Sequence, residues 1–210
     1  MKVLLRFAIV AQVLLLVVGC AARKVPPPSP APGAPVSPPA TVAPPPPAGT
    51  VADNNYLEGF SMMSLGKYER ALELFAEAWK QMPGHPGVAE NFPAALEGLK
   101  KSGDEAQRQG RPEEAGKRWT AALKYLSHPA LKGGNLSFSK TELKAAIDNL
   151  SESLMEKGLQ DYRQGRLEAA IATWRQILAY DPAHEEAAKS VRTATTQLEN
   201  LKKLPPPPPK

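Results

Sequence analysis

Residues 158–182 read GLQDYRQGRLEAAIATWRQILAYDP, and the order of small and bulky residues in this stretch decides the fold. Gly158 opens it, Gly165 follows seven residues later, Ala170 five after that, and Trp174 four residues after the alanine. Apolar residues after Gly165 recur every three to four positions, which is the spacing of an amphipathic helix. A glycine at the end of a helical segment is typical of a helix C-terminus. The stretch therefore predicts two helices joined by a tight turn at Gly165.

The same order of residues occurs two more times upstream. In every copy the first glycine stands 12 residues before the alanine, the second glycine five before it, and the aromatic residue four after it. The copies are Gly59, Gly66, Ala71, Phe75, Ala78 and Pro83; Gly103, Gly110, Ala115, Trp119, Ala122 and Pro129; and Gly158, Gly165, Ala170, Trp174, Ile177 and Pro182. Internal repetition on this scale is typical of stacked helix–turn–helix units.

This pattern resembles the tetratricopeptide repeat (TPR), a helix–turn–helix unit of about 34 residues. The resemblance covers roughly residues 52–85, 96–129 and 151–184. It implies an all-α fold in which the first glycine of each unit lets the first helix (helix A) approach the second (helix B) closely. The second glycine is expected to end helix A in a left-handed turn.

The spacing of the units departs from that of the family. Ala71 and Ala115 are 44 residues apart, and Ala115 and Ala170 are 55 apart. We expect the additional residues after helix B of each unit. Residues 86–92 are interpreted as a loop or short turn, and residues 133–135 as a loop that an inserted helix follows.

Two further helices are indicated around the third unit. Ser139 and Glu142 form a capping-box pattern that predicts a helix to about Leu150, merging with helix A of the third unit. Asp181 and Pro182 are interpreted as the N-cap and first residue of a final helix. Its apolar positions recur at helical spacing, and a terminal helix of this kind caps the last repeat of a solenoid. These positions are Ala187, Ala188, Val191, Ala194, Leu198 and Leu201.

The N-terminus has the features of an export signal. Lys2 and Arg6 precede an apolar run at residues 7–18, which is too short for a membrane span of about 20 residues. The run ends in Val18-Gly19-Cys20-Ala21, which resembles the lipobox of bacterial lipoproteins. The resemblance implies cleavage after Gly19, lipid attachment at Cys20 and, because Ala21 is not Asp, an outer-membrane location. A plain secretory peptide with an incidental cysteine remains the alternative.

The chain is accordingly divided into four parts. Residues 1–19 are interpreted as a lipoprotein signal peptide, and residues 20–50 as the lipidated cysteine with a proline-rich linker. Residues 51–204 are interpreted as a TPR-like helical domain with an inserted helix and a C-terminal capping helix, and residues 205–210 as a proline-rich tail. The 23 prolines are concentrated in the linker and tail, and proline-rich segments favour the extended polyproline II conformation over a packed core.

No set of residues in the sequence indicates catalysis. The chain has one cysteine, and its histidines, His85, His128 and His184, each lie near the proline that closes a unit. We interpret them as loop histidines at helix starts rather than as ligands of one metal ion. The net charge of +5 arises from basic residues interspersed with acidic ones, unlike the basic stripe of a nucleic-acid binder. We expect no enzymatic activity, no cofactor, no metal and no nucleic-acid partner.

The resemblance implies that helix A residues on the concave side bind segments of partner proteins. The candidates in this sequence are Tyr56, Phe60, Met63, Lys100, Gln107, Arg108, Met155, Leu159, Tyr162 and Arg163. Packing against the inserted helices is the alternative for each of them.

The sequence therefore predicts an outer-membrane lipoprotein whose helical domain faces the periplasm and acts as an adaptor for envelope proteins. By resemblance, such a protein serves assembly of an envelope machine such as a pilus or secretin. The alternatives are a peptidoglycan-associated scaffold or regulator of cell-wall enzymes, and a subunit that dimerises through its C-terminal helix.

Overall fold

The computed structural model describes residues 49–203, and all regular structure in this part of the chain is helical, so the predicted all-α fold class is confirmed. The helices are α1 (Val51–Ser64), α2 (Tyr68–Gln81), α3 (Pro86–Arg108), α4 (Pro112–Tyr125), α5 (Lys140–Arg163), α6 (Leu167–Leu178) and α7 (Glu185–Lys202), with a 3₁₀ turn at Pro129–Leu131. The predicted signal peptide, Cys20, the linker up to residue 48 and the tail at 205–210 lie outside the described residues.

The first six helices form three hairpins, in which α1, α3 and α5 are helices A and α2, α4 and α6 are helices B. Gly66, Gly110 and Gly165 end the helices A with φ values of 71°, 69° and 74°, in the left-handed region that favours glycine. In the first turn the backbone N–H of Lys67 donates to the carbonyl of Met62 at 2.9 Å, and equivalent bonds close the other two turns. The predicted turn glycines are confirmed.

Each hairpin is closed by contact between the first glycine of helix A and the aromatic residue of helix B. A methyl group placed on Gly59 would lie 2.7 Å from the Phe75 ring, and one on Gly103 would lie 2.5 Å from Nε1 of Trp119. Gly158 has the same relation to Trp174 in the third hairpin. These distances are shorter than any side-chain carbon tolerates, so the ring occupies the space that the missing side chain leaves.

The residues beyond the usual repeat length extend helices A. Helix α1 has 14 residues, whereas α3 has 23 and α5 has 24. The predicted capping box at Ser139 and Glu142 opens α5, and the predicted merger of that helix with helix A of the third unit is confirmed. Among the described residues there is accordingly no separate inserted α-helix: the insertions lengthen α3 and α5 at their starts, and the second one also lengthens the segment between α4 and α5, which contains the 3₁₀ turn.

The prediction of a loop or short turn at residues 86–92 is wrong, because α3 begins at Pro86 and continues through this segment. Proline suits the first position of a helix, where its missing N–H has no helical partner. Val88 and Phe92 lie one helical turn apart and are both fully buried, so packing favours the helix. Pro93 lies inside α3 and removes one helical hydrogen bond, which this burial outweighs.

Helix α7 covers the last hairpin, as predicted for a capping helix. It packs against α6, with Ala187 and Ala194 fully buried and Val191 and Leu198 partly buried. The predicted start of this helix is wrong, since α7 begins at Glu185. Its N-cap is a histidine, and the Asp181 carboxylate accepts the N–H of Ala183 in the preceding turn.

The contact between Gly158 and Trp174 predicts an unusual response to alanine. In an open helical position, replacing glycine with alanine stabilises a protein by about 0.5–1 kcal/mol. We expect Gly158→Ala to lower the free energy of unfolding by about 1–3 kcal/mol, because the added carbon forces the indole out of its position. Urea unfolding of the whole chain, followed by circular dichroism, measures the change.

Gln160→Ala is the matched control, since Gln160 is exposed on the same helix. It should leave stability within about 0.5 kcal/mol of the original. Equal stability of the Gly158→Ala variant and the original chain would show that the hairpin does not depend on this contact.

Candidate functional site

The three histidines each cap the start of a helical segment, as predicted. Nδ1 of each ring accepts a backbone N–H: His85 from Val88 at 3.3 Å, His128 from Ala130 at 3.2 Å, and His184 from Ala187 at 3.2 Å. Because each ring is used on its own helix, the histidines are structural residues at equivalent ends of the hairpins. Within residues 49–203, no group of three or more histidine, cysteine or acidic side chains is placed to hold a metal ion.

In the first hairpin most of the predicted binding residues are used in packing. The ring of Tyr56 lies 5.9 Å from that of Phe75 and covers Gly87 of α3, where a methyl group would meet it at 2.5 Å. Met63 is half-buried against the core. Only Phe60, with 44% of its surface exposed, is open to solvent.

In the second hairpin one predicted residue makes contacts within the chain and the other two are exposed to solvent. The ammonium of Lys100 lies 2.8 Å from the carboxylate of Asp104 and 5.9 Å from the centre of the Phe138 ring. Gln107 and Arg108 are exposed. Lys100 thus holds the loop before α5 against α3 and is less available to a partner.

In the third hairpin two predicted residues lie in an open groove between α5 and α7. Met155 is half-buried and Leu159 is 40% exposed, and together with Trp174 they form its apolar floor. Tyr162 packs toward Trp174, with ring centres 6.0 Å apart, and Arg163 is exposed beyond the groove. The structure therefore brings Met155 and Leu159 together in this groove, while Arg163 lines an adjoining groove with Leu159 and Tyr56 lies beside Phe60 in the first hairpin, with ring centres 6.3 Å apart.

The groove has a volume of about 670 Å³ and a polar rim that sequence reasoning missed. The polar residues that line it are Asp148, Ser151, Glu152, Glu156, Asp181, His184, Glu186 and Ser190. The hydroxyl of Ser151 lies 3.0 Å from that of Tyr180, and the His184 ring caps α7. The carboxylates are the acidic groups that the groove offers to a ligand.

A signal for this rim exists in the sequence. Asp148, Glu152 and Glu156 recur every four residues, a spacing that places their side chains on one helix face. The spacing has this meaning only if α5 is continuous from Lys140 to Arg163 and this face of the helix lies across a groove from α7, which the sequence does not specify.

Two other grooves among the described residues are similar in size, about 570 Å³ near the end of α7 and about 560 Å³ near the end of α5, but each is lined by polar side chains around a single leucine. A groove of about 490 Å³ beside the turn at Gly66 is lined by basic and acidic side chains together. Every buried side-chain polar atom within residues 49–203 has a hydrogen-bond partner. No helix among these residues has the length and apolar character that a membrane span requires.

The chain matches the model of a known protein family. Residues 94–202, just over half of the chain, match the family described as the bacterial transcriptional activator domain (BTAD). The matched segment contains α4 to α7 completely and begins within α3. No curated protein matches the chain.

The environment of His128 predicts a dependence of stability on pH. Its ring stacks on Phe92 with centres 4.3 Å apart, and burial lowers the pKa of His128 below its ordinary value near 6.5. The unfolded chain therefore binds the proton more readily than the folded one. The free energy of unfolding should decrease as pH falls from about 6.5 toward the lower pKa of the folded state.

His128→Asn tests this dependence, because asparagine also caps helices but does not titrate. Stability curves of the two proteins, measured by urea unfolding between pH 7.5 and 5, should diverge below about pH 6.5, the original chain losing more. Parallel curves would contradict the assignment.

Proposed function

Because the chain belongs to the family of bacterial transcriptional activator domains, we propose that its helical domain is a protein-interaction domain that acts as an adaptor. The matched segment includes every element of the groove between α5 and α7. The observation that carries the proposal is the open floor of this groove, where Met155 and Leu159 remain accessible on helix A of the third hairpin.

The shape of the groove suits a polypeptide. From Asp148 to Leu159 the face of α5 extends for roughly 16 Å at about 1.5 Å per residue. An extended peptide covers that length with about five residues. An apolar floor with a polar rim is also the usual composition of a protein-binding surface.

The charge of the domain argues against nucleic acid as its partner. Five of the chain's 26 basic residues lie outside residues 49–203, at Lys2, Arg6, Arg23, Lys24 and Lys210, and all 21 acidic residues lie inside. This part of the chain therefore has equal numbers of basic and acidic side chains. A surface that neutralises phosphates requires an excess of basic ones.

The family's name supplies a second candidate, a protein-interaction domain within the apparatus of transcription. In this second candidate the domain would also bind a protein, but its partner would belong to the transcription apparatus and not to the cell envelope. The sequence before the domain favours the envelope, because Lys2 and Arg6, the apolar run and Cys20 together resemble a lipoprotein signal.

We accordingly infer that the mature protein begins at Cys20, is anchored by lipid in the outer membrane and presents its domain to the periplasm. Two or three acyl chains on one cysteine are sufficient for stable anchoring. The linker at residues 20–50 would hold the domain away from the bilayer. Its protein partners would then belong to an envelope assembly such as a pilus or secretin, with a peptidoglycan-associated scaffold as the alternative.

Metabolic labelling with a palmitate analogue tests the anchor. The original chain should incorporate the label and fractionate with the outer membrane, whereas Cys20→Ala should incorporate none, because the thiol is the acceptor. Equal labelling of the two, or an unlabelled original chain in the cytoplasm, would contradict the envelope proposal and favour the transcriptional one.

Site-specific photo-crosslinking in living cells tests the adaptor function. A benzophenone amino acid at Leu159 lies in the groove, and the same amino acid at the exposed Lys80 of α2 is the matched control. We expect a protein adduct from position 159 and none from position 80. Adducts only from position 80 would place the binding surface elsewhere, and retention on purified sacculi without any adduct would favour the cell-wall alternative.

A further inference from the structure

We propose that the groove between α5 and α7 binds a basic peptide segment of a partner protein, with an apolar side chain held between flanking lysines or arginines. The inference deepens the proposed adaptor function and rests on it. The ligand is expected to be basic because the charged residues around the groove are acidic.

Acidic residues line both walls of the groove. Asp148, Glu152 and Glu156 follow one another at four-residue intervals along α5. Asp181, in the turn before α7, and Glu186, in its first helical turn, face them from the other wall. None of the residues that line the groove is a lysine or arginine.

Most of these carboxylates lack a basic partner in the described part of the chain. Asp148 is paired, since Nζ of Lys144 lies 2.7 Å from its carboxylate. Among residues 49–203, no salt bridge reaches Glu152, Glu156, Asp181 or Glu186, which form the rim nearest the apolar floor. A ligand that enters the groove thus meets uncompensated negative charge on two sides.

This charge is a local feature, because the described domain as a whole has no net formal charge. Elsewhere in the described domain several acidic residues are paired within their own helices, as Glu113 is with Lys117 and Glu114 with Arg118, and the unpaired ones, such as Glu58 and Glu90, do not line this groove. The groove beside the turn at Gly66 also mixes the two signs. Like charges one helical turn apart repel each other, so the stripe on α5 opposes folding slightly until a cation neutralises it.

The apolar floor of the groove indicates that the ligand also has an apolar side chain. Leu159 is 40% exposed and lines the groove together with the half-buried Met155 and the indole of Trp174. An apolar side chain of the ligand would cover these groups, while its basic neighbours reach the carboxylates on the two rims. A small cation would leave the floor exposed, and an anionic ligand such as nucleic acid would be repelled.

The test uses two synthetic peptides of seven residues with blocked ends. The first has two central leucines among five lysines, and the second has glutamates in place of the lysines. Fluorescence anisotropy with the whole chain in detergent should show saturable binding of the basic peptide only, weakening as salt is raised. Equal binding of the two peptides, or binding of neither, would overturn the inference.

Removing the charge of two acidic residues on the rim tests whether the basic peptide binds in this groove. Glu152→Gln with Glu156→Gln should weaken binding of the basic peptide on the order of tenfold. The matched control, Glu58→Gln with Glu90→Gln, changes two exposed carboxylates on α1 and α3 and should leave binding unchanged. Equal weakening by both pairs would overturn the inference, because it would show a general charge effect. Unchanged thermal unfolding verifies that the variants are folded.

Two further outcomes are distinguishable. If a chain that ends at Lys203 binds the basic peptide more tightly than the whole chain, the occupant is the molecule's own proline-rich tail with its terminal Lys210, and the inference of a separate partner is overturned. If neither peptide binds but position 159 still crosslinks to a protein, the chemistry assigned to the ligand is wrong while the adaptor function stands. Failure of both experiments would contradict the adaptor function as well.

Discussion

The contact between a glycine on helix A and an aromatic ring on helix B is the constraint on which the structure depends. It occurs as Gly59 with Phe75, Gly103 with Trp119 and Gly158 with Trp174, always 16 residues apart. The absent side chain brings the two helices together, and the ring fills the space between them. With the left-handed glycine at each turn, this contact defines a hairpin before any contact between hairpins is considered.

Differences between the hairpins arise from the lengths of helices A. The nine or ten additional residues of α3 and α5, relative to α1, extend these helices at their starts. The extension of α5 adds Ile147 and Asp148 to one wall of the groove, and the start of α7 forms the opposite wall. Glu152, Met155, Glu156 and Leu159 lie in the part of α5 that corresponds to α1, so the repeat supplies most of this wall and the added residues lengthen it.

The hairpins could be predicted from the sequence because glycine, alanine and aromatic residues at fixed spacing have few structural interpretations. The start of α3 could not, since Pro86 and Pro93 suggest a loop until the burial of Val88 and Phe92 is known. The binding residues were predicted only in part. Tyr56 and Met63 lie on helix A as expected, but tertiary packing uses them. The groove forms because α5 and α7 both pack on α6, an arrangement that local sequence does not encode.

Chemical-shift mapping by NMR tests the central claim, that the chain holds a polypeptide against helix A of its third hairpin, most directly. The labelled chain is titrated with the basic leucine–lysine peptide. The account predicts changes concentrated at residues 147–159 of α5 and 184–190 at the start of α7. Changes confined to α2 or α4, or spread evenly over the domain, would contradict it.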